Sequence, residues 1–148
     1  MKIEKHHKIG FFDIDQHHKL RIQSVARFFQ EIAVFHSTSV GAGPDILFEK
    51  GVGWFLNRLE IEFFRYPMLG ENIKITTWSR GFKRYKAYRE YLIESSQGEI
   101  ARGSSIWLFF DFNRKRISKV HMRLTKKNGL TRKLMTGRPA GRSSRNRR

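Results

Sequence analysis

Six consecutive residues near the N-terminus, Asp13-Ile14-Asp15-Gln16-His17-His18, concentrate the groups best suited to moving protons. A carboxylate or imidazole there can activate a water or return a proton to a leaving group. The cluster ends where an apolar periodicity begins, so the unpaired N–H groups of a helix start can face a developing oxyanion. Asp15 and His17 are the candidates for such a site. The same segment has a plainer use, with Asp13 or Asp15 capping the helix and the histidines in water. Glu31 lies mid-helix among apolar positions, where a carboxylate near a buried face can act as a general base. Its alternative is ion pairing with Arg27, four residues earlier. His36 has the period of a core-facing side chain and is expected to be a satisfied core histidine rather than a ligand. The histidines at 6, 7, 17, 18, 36 and 121 lack the spacing of a helical metal site, and the chain has no cysteine. No metal and no cofactor are therefore expected.

Two further groupings bind rather than react. Arg80, Lys83, Arg84, Lys86 and Arg89 mix with Phe82, Tyr85 and Tyr88. Such a mixture suits an acidic partner or single-stranded nucleic acid, and a solvated strand face that guards an edge needs neither. Trp54, Leu56, Leu59, Ile61, Phe63, Ile73, Ile75 and Trp78 are expected on the inner face of a sheet, as core, as groove wall, or both.

The elements that position these groups follow from periodicity. Ile3 to Phe12 reads as a first strand. From Leu20 to Ser39, Ile22, Val25, Ala26, Phe29, Ile32, Ala33 and His36 recur at spacings of three and four, one face of a long helix. Gly41-Ala42-Gly43-Pro44 ends it, and a loop, Asp45 to Gly51, is expected next. Beyond Val52 the period becomes two. Leu59, Ile61 and Phe63 alternate with acids, and the Tyr66-Pro67-Met68-Leu69-Gly70 turn leads to Ile73, Ile75 and Thr77. These two strands are expected to be antiparallel neighbours. A Ser79-Arg80-Gly81 turn, a strand through Ile93, and a last strand from Ile100 to Phe112 complete the set. One helix with five antiparallel strands favours a curved sheet wrapped around a single central helix, the α+β hotdog fold.

Composition bounds the rest. The chain has 148 residues, 39% hydrophobic and 14% aromatic, which suffices for one packed core and excludes overall disorder. The formal net charge of +17 is uneven: residues 114–148 hold 14 of the 30 basic residues and none of the 13 acids, leaving +3 for residues 1–113. Residues 1–119 are expected as the domain and 120–148 as a basic, disordered tail. The longest large apolar run, Ile106 to Phe110, is too short to span a bilayer, and no secretory leader is apparent, so a cytoplasmic protein without membrane contact is expected. A nucleic-acid-binding protein is the alternative the tail invites, but no nucleic-acid module is apparent and nucleic acid is an unlikely partner.

The run Trp54-Phe55-Leu56-Asn57-Arg58-Leu59-Glu60-Ile61, the segment Arg65 to Glu71 with Thr77-Trp78, and Gly98-Glu99 followed by Ala101-Arg102, Ser105 and Trp107 resemble the first half of the acyl-acyl carrier protein thioesterases. Gln30-Glu31-Ile32-Ala33 with His36, then Gly41 and Gly43, also match, so the resemblance covers roughly residues 10 to 119. It implies hydrolysis of fatty acyl thioesters of the carrier protein in fatty acid biosynthesis. It also implies that the catalytic Asp, Asn, His and Glu or Cys belong to a second repeat, which this sequence does not contain. The present repeat would then mainly bind the acyl chain, through Trp54, Leu56, Arg58 and Trp78, and Arg80, Lys83, Arg84 and Lys86 would dock the carrier. Asp15, His17 and Glu31 stand as local substitutes for the missing site. Asp13-Ile14-Asp15-Gln16-His17 loosely echoes the family's Asp-x-Asn-x-His pattern, with Asp15 where an Asn would be. A noncatalytic acyl-binding remnant is the third reading, and exposed apolar surface leads us to expect a homodimer.

Overall fold

The structure, a computed structural model, describes residues 1–125 and 131–135, with 121–125 and 131–135 described through their backbone alone. Helix α1, Ile22–Ser39, buries Val25, Phe29, Ile32, Ala33 and His36 as their spacing predicts, but Ile22 at the first turn is exposed, Ala26 is half-buried, and Phe28, outside the expected stripe, is buried. Its N-cap is Arg21 in extended conformation with no side-chain cap bond, so neither Asp13 nor Asp15 caps it. Where a loop is expected after Pro44, a short helix α2, Pro44–Glu49, forms instead. A proline at the first helical turn surrenders no needed hydrogen bond and is already set at a helical φ.

The strands are β1 (Lys2–Lys8), β2 (Val52–Phe63), β3 (Asn72–Lys83), β4 (Lys86–Ser95), β5 (Gly98–Asp111) and β6 (Arg116–Ile117). They form one antiparallel sheet in the order β1-β3-β4-β5-β2, with β6 beside β5. Three expectations change. The first strand stops at Lys8, and Phe11–Asp13 is a 3-10 turn. Ser79-Arg80-Gly81 is a bulge within β3 rather than a turn, since pairing with β4 resumes at Gly81 after a register shift. Strands β2 and β3 are not neighbours: β2 pairs with β5, whereas β3 lies between β1 and β4. Alternation reveals the face of a strand but not its partner.

The sheet curls around α1. Phe29 stacks on Tyr91 with ring centroids 4.4 Å apart. Gly103 lies beneath, where a Cβ would run into the Phe29 ring. This packing joins Ile9, Ile14, Leu20, Val25, Ile32, Ile73, Ile75, Ile93 and Ile100 in one core. A smaller cluster of Leu47, Val52 and Phe109, with Trp54 against it, lies under α2. The expected tail contains two further antiparallel strands, β7 (His121–Thr125) and β8 (Thr131–Met135). Residues 126–130 and 136–148, also expected to be disordered, lie outside the described residues.

Candidate functional site

The N-terminal cluster divides in two. Asp13 is 3% exposed. Its Oδ2 accepts from the Gly10 backbone N–H and contacts His7 Nε2, each at 2.8 Å, and its Oδ1 accepts from Arg27 Nη2 at 2.9 Å. Burial by itself would raise the Asp13 carboxyl, but the His7 and Gly10 hydrogen bonds and the His7 and Arg27 charges together hold it below the ordinary carboxylate value. Asp15 instead closes the next turn. Its Oδ1 accepts from the backbone N–H groups of His17 at 2.8 Å and Lys19 at 3.1 Å. The Lys19 bond is the main reason its carboxyl is lowered. His17 is exposed.

Glu31 is separate from this loop, exposed on α1 with Oε1 4.0 Å from Arg27 Nε. It lines a concavity with Lys5, His7, Arg27, Phe28 and Ile75. Asp15, His17 and Glu31 therefore do not form one constellation, whereas His7, Asp13 and Arg27 do. No local sequence signal announces that trio, because its members are 6 and 14 residues apart and meet only when β1, the 3-10 turn and α1 pack together.

The inner apolar face is composed differently from the expectation. Trp54 packs against Phe109 and Phe82, with centroids 4.8 Å and 5.7 Å away, and Leu56 lies opposite Trp107. A register shift between Leu56 and Arg58 lets Leu56 and Leu59 both face inward. Arg58 is consequently outside, exposed and ion-paired with Glu60. Trp78 is also outside: Ile73, Ile75 and Thr77 occupy the buried face of β3, and Lys2 Nζ sits 4.5 Å from the Trp78 ring. Neither Arg58 nor Trp78 can line an inner groove, because each has the opposite strand parity.

Between the two apolar clusters runs a polar seam. Arg89 Nη1 donates to His36 Nδ1 at 2.9 Å and to Thr77 Oγ1 at 3.2 Å. Trp107 Nε1 donates to Ser105 Oγ at 2.9 Å, and Ser105 shares a 2.9 Å hydrogen bond with the Tyr91 hydroxyl. Among the described residues no carboxylate pairs with Arg89. Burial pushes the Arg89 guanidinium down, and burial followed by the Arg89 charge pushes the His36 imidazole down. Arg89, which shares the basic run of β3 and β4 with Arg80, Lys83, Arg84 and Lys86, is thus turned to the inner face rather than the surface. Of the docking candidates, Arg80 is ion-paired with Glu90, while Lys83 and Arg84 are exposed at the β3–β4 tip and Lys86 lies over Tyr85. Among the described residues no group of three or more His, Cys, Asp and Glu could hold a metal ion.

A curled antiparallel sheet on one long helix is the architecture of hotdog thioesterases. It matches DHNA-CoA thioesterase from Staphylococcus aureus with a TM-score of 0.73 at 13% identity, covering 80% of each chain. The family model for the acyl-ACP thioesterase N-terminal domain matches residues 1–127, and the chain belongs to that family. An acyl-ACP thioesterase from Bacteroides thetaiotaomicron superimposes with a TM-score of 0.75 at 23% identity, over 79% of this chain and 49% of that one. Oleoyl-acyl carrier protein thioesterase 1 of Arabidopsis thaliana is 25% identical over 117 residues, 74% of this chain and 32% of that protein. The chain thus spans about a third of that curated relative.

Proposed function

We propose that this domain binds the fatty acyl chain of acyl-carrier-protein thioesters, as the acyl-binding half of a thioesterase-like activity in fatty acid biosynthesis. The observation that carries this reading is the inner apolar wall of Trp54, Leu56, Phe82 and Phe109, bounded by the Arg89–His36 seam. Each methylene moved from water to such a wall is worth about 0.8 kcal/mol. Hydrolysis by this chain alone is expected to be slow, because Asp15 is engaged in its own turn, His17 is exposed and Glu31 stands apart from both. A missing positioned base costs about 100-fold to 10,000-fold in rate.

The carrier is an acidic partner that docks on the exposed cations of the β3–β4 tip. A homodimer accounts for the β2 edge, paired only on its β5 side, and for exposed Val34 and Phe35 on α1. The cytoplasm is the proposed place of action. No helix among the described residues is long and apolar enough to cross a membrane.

The test combines acyl binding with thiol release from medium-chain and long-chain acyl carrier substrates. Saturable acyl binding with weak turnover is the expected result. Absence of acyl binding overturns the reading, and robust turnover that collapses in Asp15→Ala or Glu31→Gln replaces it with a complete single-domain enzyme.

A further inference from the structure

Several cations on the outer face of the sheet are paired with carboxylates. Lys74 meets Glu94 at 2.9 Å, and Arg58, Arg80 and Arg102 meet Glu60, Glu90 and Glu99. One corner differs. The β3–β4 tip exposes Lys83 and Arg84, and the segment around β6 exposes Arg114, Lys115, Arg116 and Lys119. Backbone bonds fasten the two together: Phe109 N–H donates to Tyr85 O, Ser118 N–H to Phe109 O and Val120 N–H to Arg84 O, each at 2.9 Å. Asp111 is the one carboxylate ion-paired with this set among the described residues, at 3.8 Å from Arg114.

Each turn also places a basic residue in the left-handed region, Arg84 at φ 59° and Lys115 at φ 53°. Glycine or asparagine holds that conformation at lower cost, so backbone preference does not account for a cation at either position. Beside them Phe112 and Ile117 are exposed. The Phe112 ring packs edge-on against Phe55 and Phe110, an arrangement unlike the open stacking platforms on which single-stranded nucleic acid lies.

We infer that the docking surface for an acidic protein is bipartite, with the Arg114–Lys119 segment as its second half and Phe112 and Ile117 as its apolar contact. This rests on the proposed acyl-carrier reading, which supplies the acidic partner, and it adds residues that the β3–β4 tip alone does not include. Charge complementarity over both tips fixes the orientation of the carrier, whereas one tip alone allows it to swivel.

The experiment titrates the full chain with acyl carrier protein by fluorescence anisotropy at low and high salt. Arg84→Glu and the double variant Lys115→Glu with Arg116→Glu are each expected to weaken binding about tenfold or more at low ionic strength and to flatten its salt dependence. Arg102→Glu, on the paired outer face, serves as the control and should leave binding within about twofold. Lys115→Gly relieves the left-handed backbone while removing the charge, so it should melt no lower than the parent yet bind more weakly. That combination separates docking from folding. If the parent chain does not bind the carrier, the acyl-carrier reading itself fails. If the parent binds and Arg84→Glu weakens it while the Lys115/Arg116 variants do not, the bipartite surface is overturned. Tighter binding to anionic vesicles or single-stranded RNA than to the carrier, lost in the Lys115/Arg116 variant, also overturns it.

Discussion

Asp13 and Arg89 are both inward-facing charged side chains, and they are treated in opposite ways. Asp13 is enclosed by an N–H group and two basic side chains, so its burial is compensated at each oxygen. Arg89 is half-buried, and its Nη1 donates to an imidazole nitrogen and a hydroxyl, with no carboxylate beside it among the described residues. The first arrangement ties β1, the 3-10 turn and α1 together. The second leaves a half-buried cation without a carboxylate partner at the border of the apolar wall, which adds little stability and marks where the wall ends.

Substitution sharpens the contrast. Asp13→Ala strands the Gly10 N–H and removes the shared partner of His7 and Arg27, and it should cost about 2–4 kcal/mol in urea unfolding. Trp54→Ala should cost about 2 kcal/mol, because the indole is only half-buried, and should also weaken acyl binding. Trp78→Ala, on the outer face, should leave acyl binding unchanged; a loss there would contradict the assigned face. Arg89→Leu should change stability by no more than about 1 kcal/mol in either direction, since the half-buried cation has no carboxylate partner to lose and an apolar replacement removes its partial desolvation cost. A loss comparable to that of Asp13→Ala would erase the distinction between the two charges.

The pH dependence is the smallest effect, and its sign is fixed. The His36 imidazole titrates lower in the folded state than its ordinary 6.5, so the unfolded chain takes up the proton first. Its contribution is full above that value and declines as pH falls through 6.5 toward the depressed native value. Asp13 adds a second loss further down: its stabilising contribution is complete above the ordinary carboxylate value of 3.8 and declines as pH falls from there through its lowered native value. Stability measured from pH 8 to pH 3 should fall in these two stages, and His36→Gln should remove the upper one.

Periodicity carried most of the architecture. The spacing of Val25, Phe29, Ile32 and His36 marked both the helix and its buried face, and the alternation of Leu59, Ile61 and Phe63 marked the inner face of β2. Parity also placed Trp78, and assigning it inward contradicted the count from Ile73 and Ile75. The β2 bulge, by contrast, had no local signature. Neither did the site: Arg89 and His36 are 53 residues apart, and the partners of Asp13 come from two other elements. Such pairs are created by packing, and a window of neighbouring residues does not contain them.

The separation of β2 from β3 also bears on the order in which the chain can fold. Strands β3, β4 and β5 are joined by tight hairpins and can zip locally, as soon as each turn exists. Strand β2 has no partner until β5 is complete, because Val52 pairs with Asp111 and Phe63 with Ala101. Closing that long loop is entropically slow. During synthesis β2 must therefore wait with both edges bare, and pulsed hydrogen exchange is expected to find β3–β5 amides protected before those of β2.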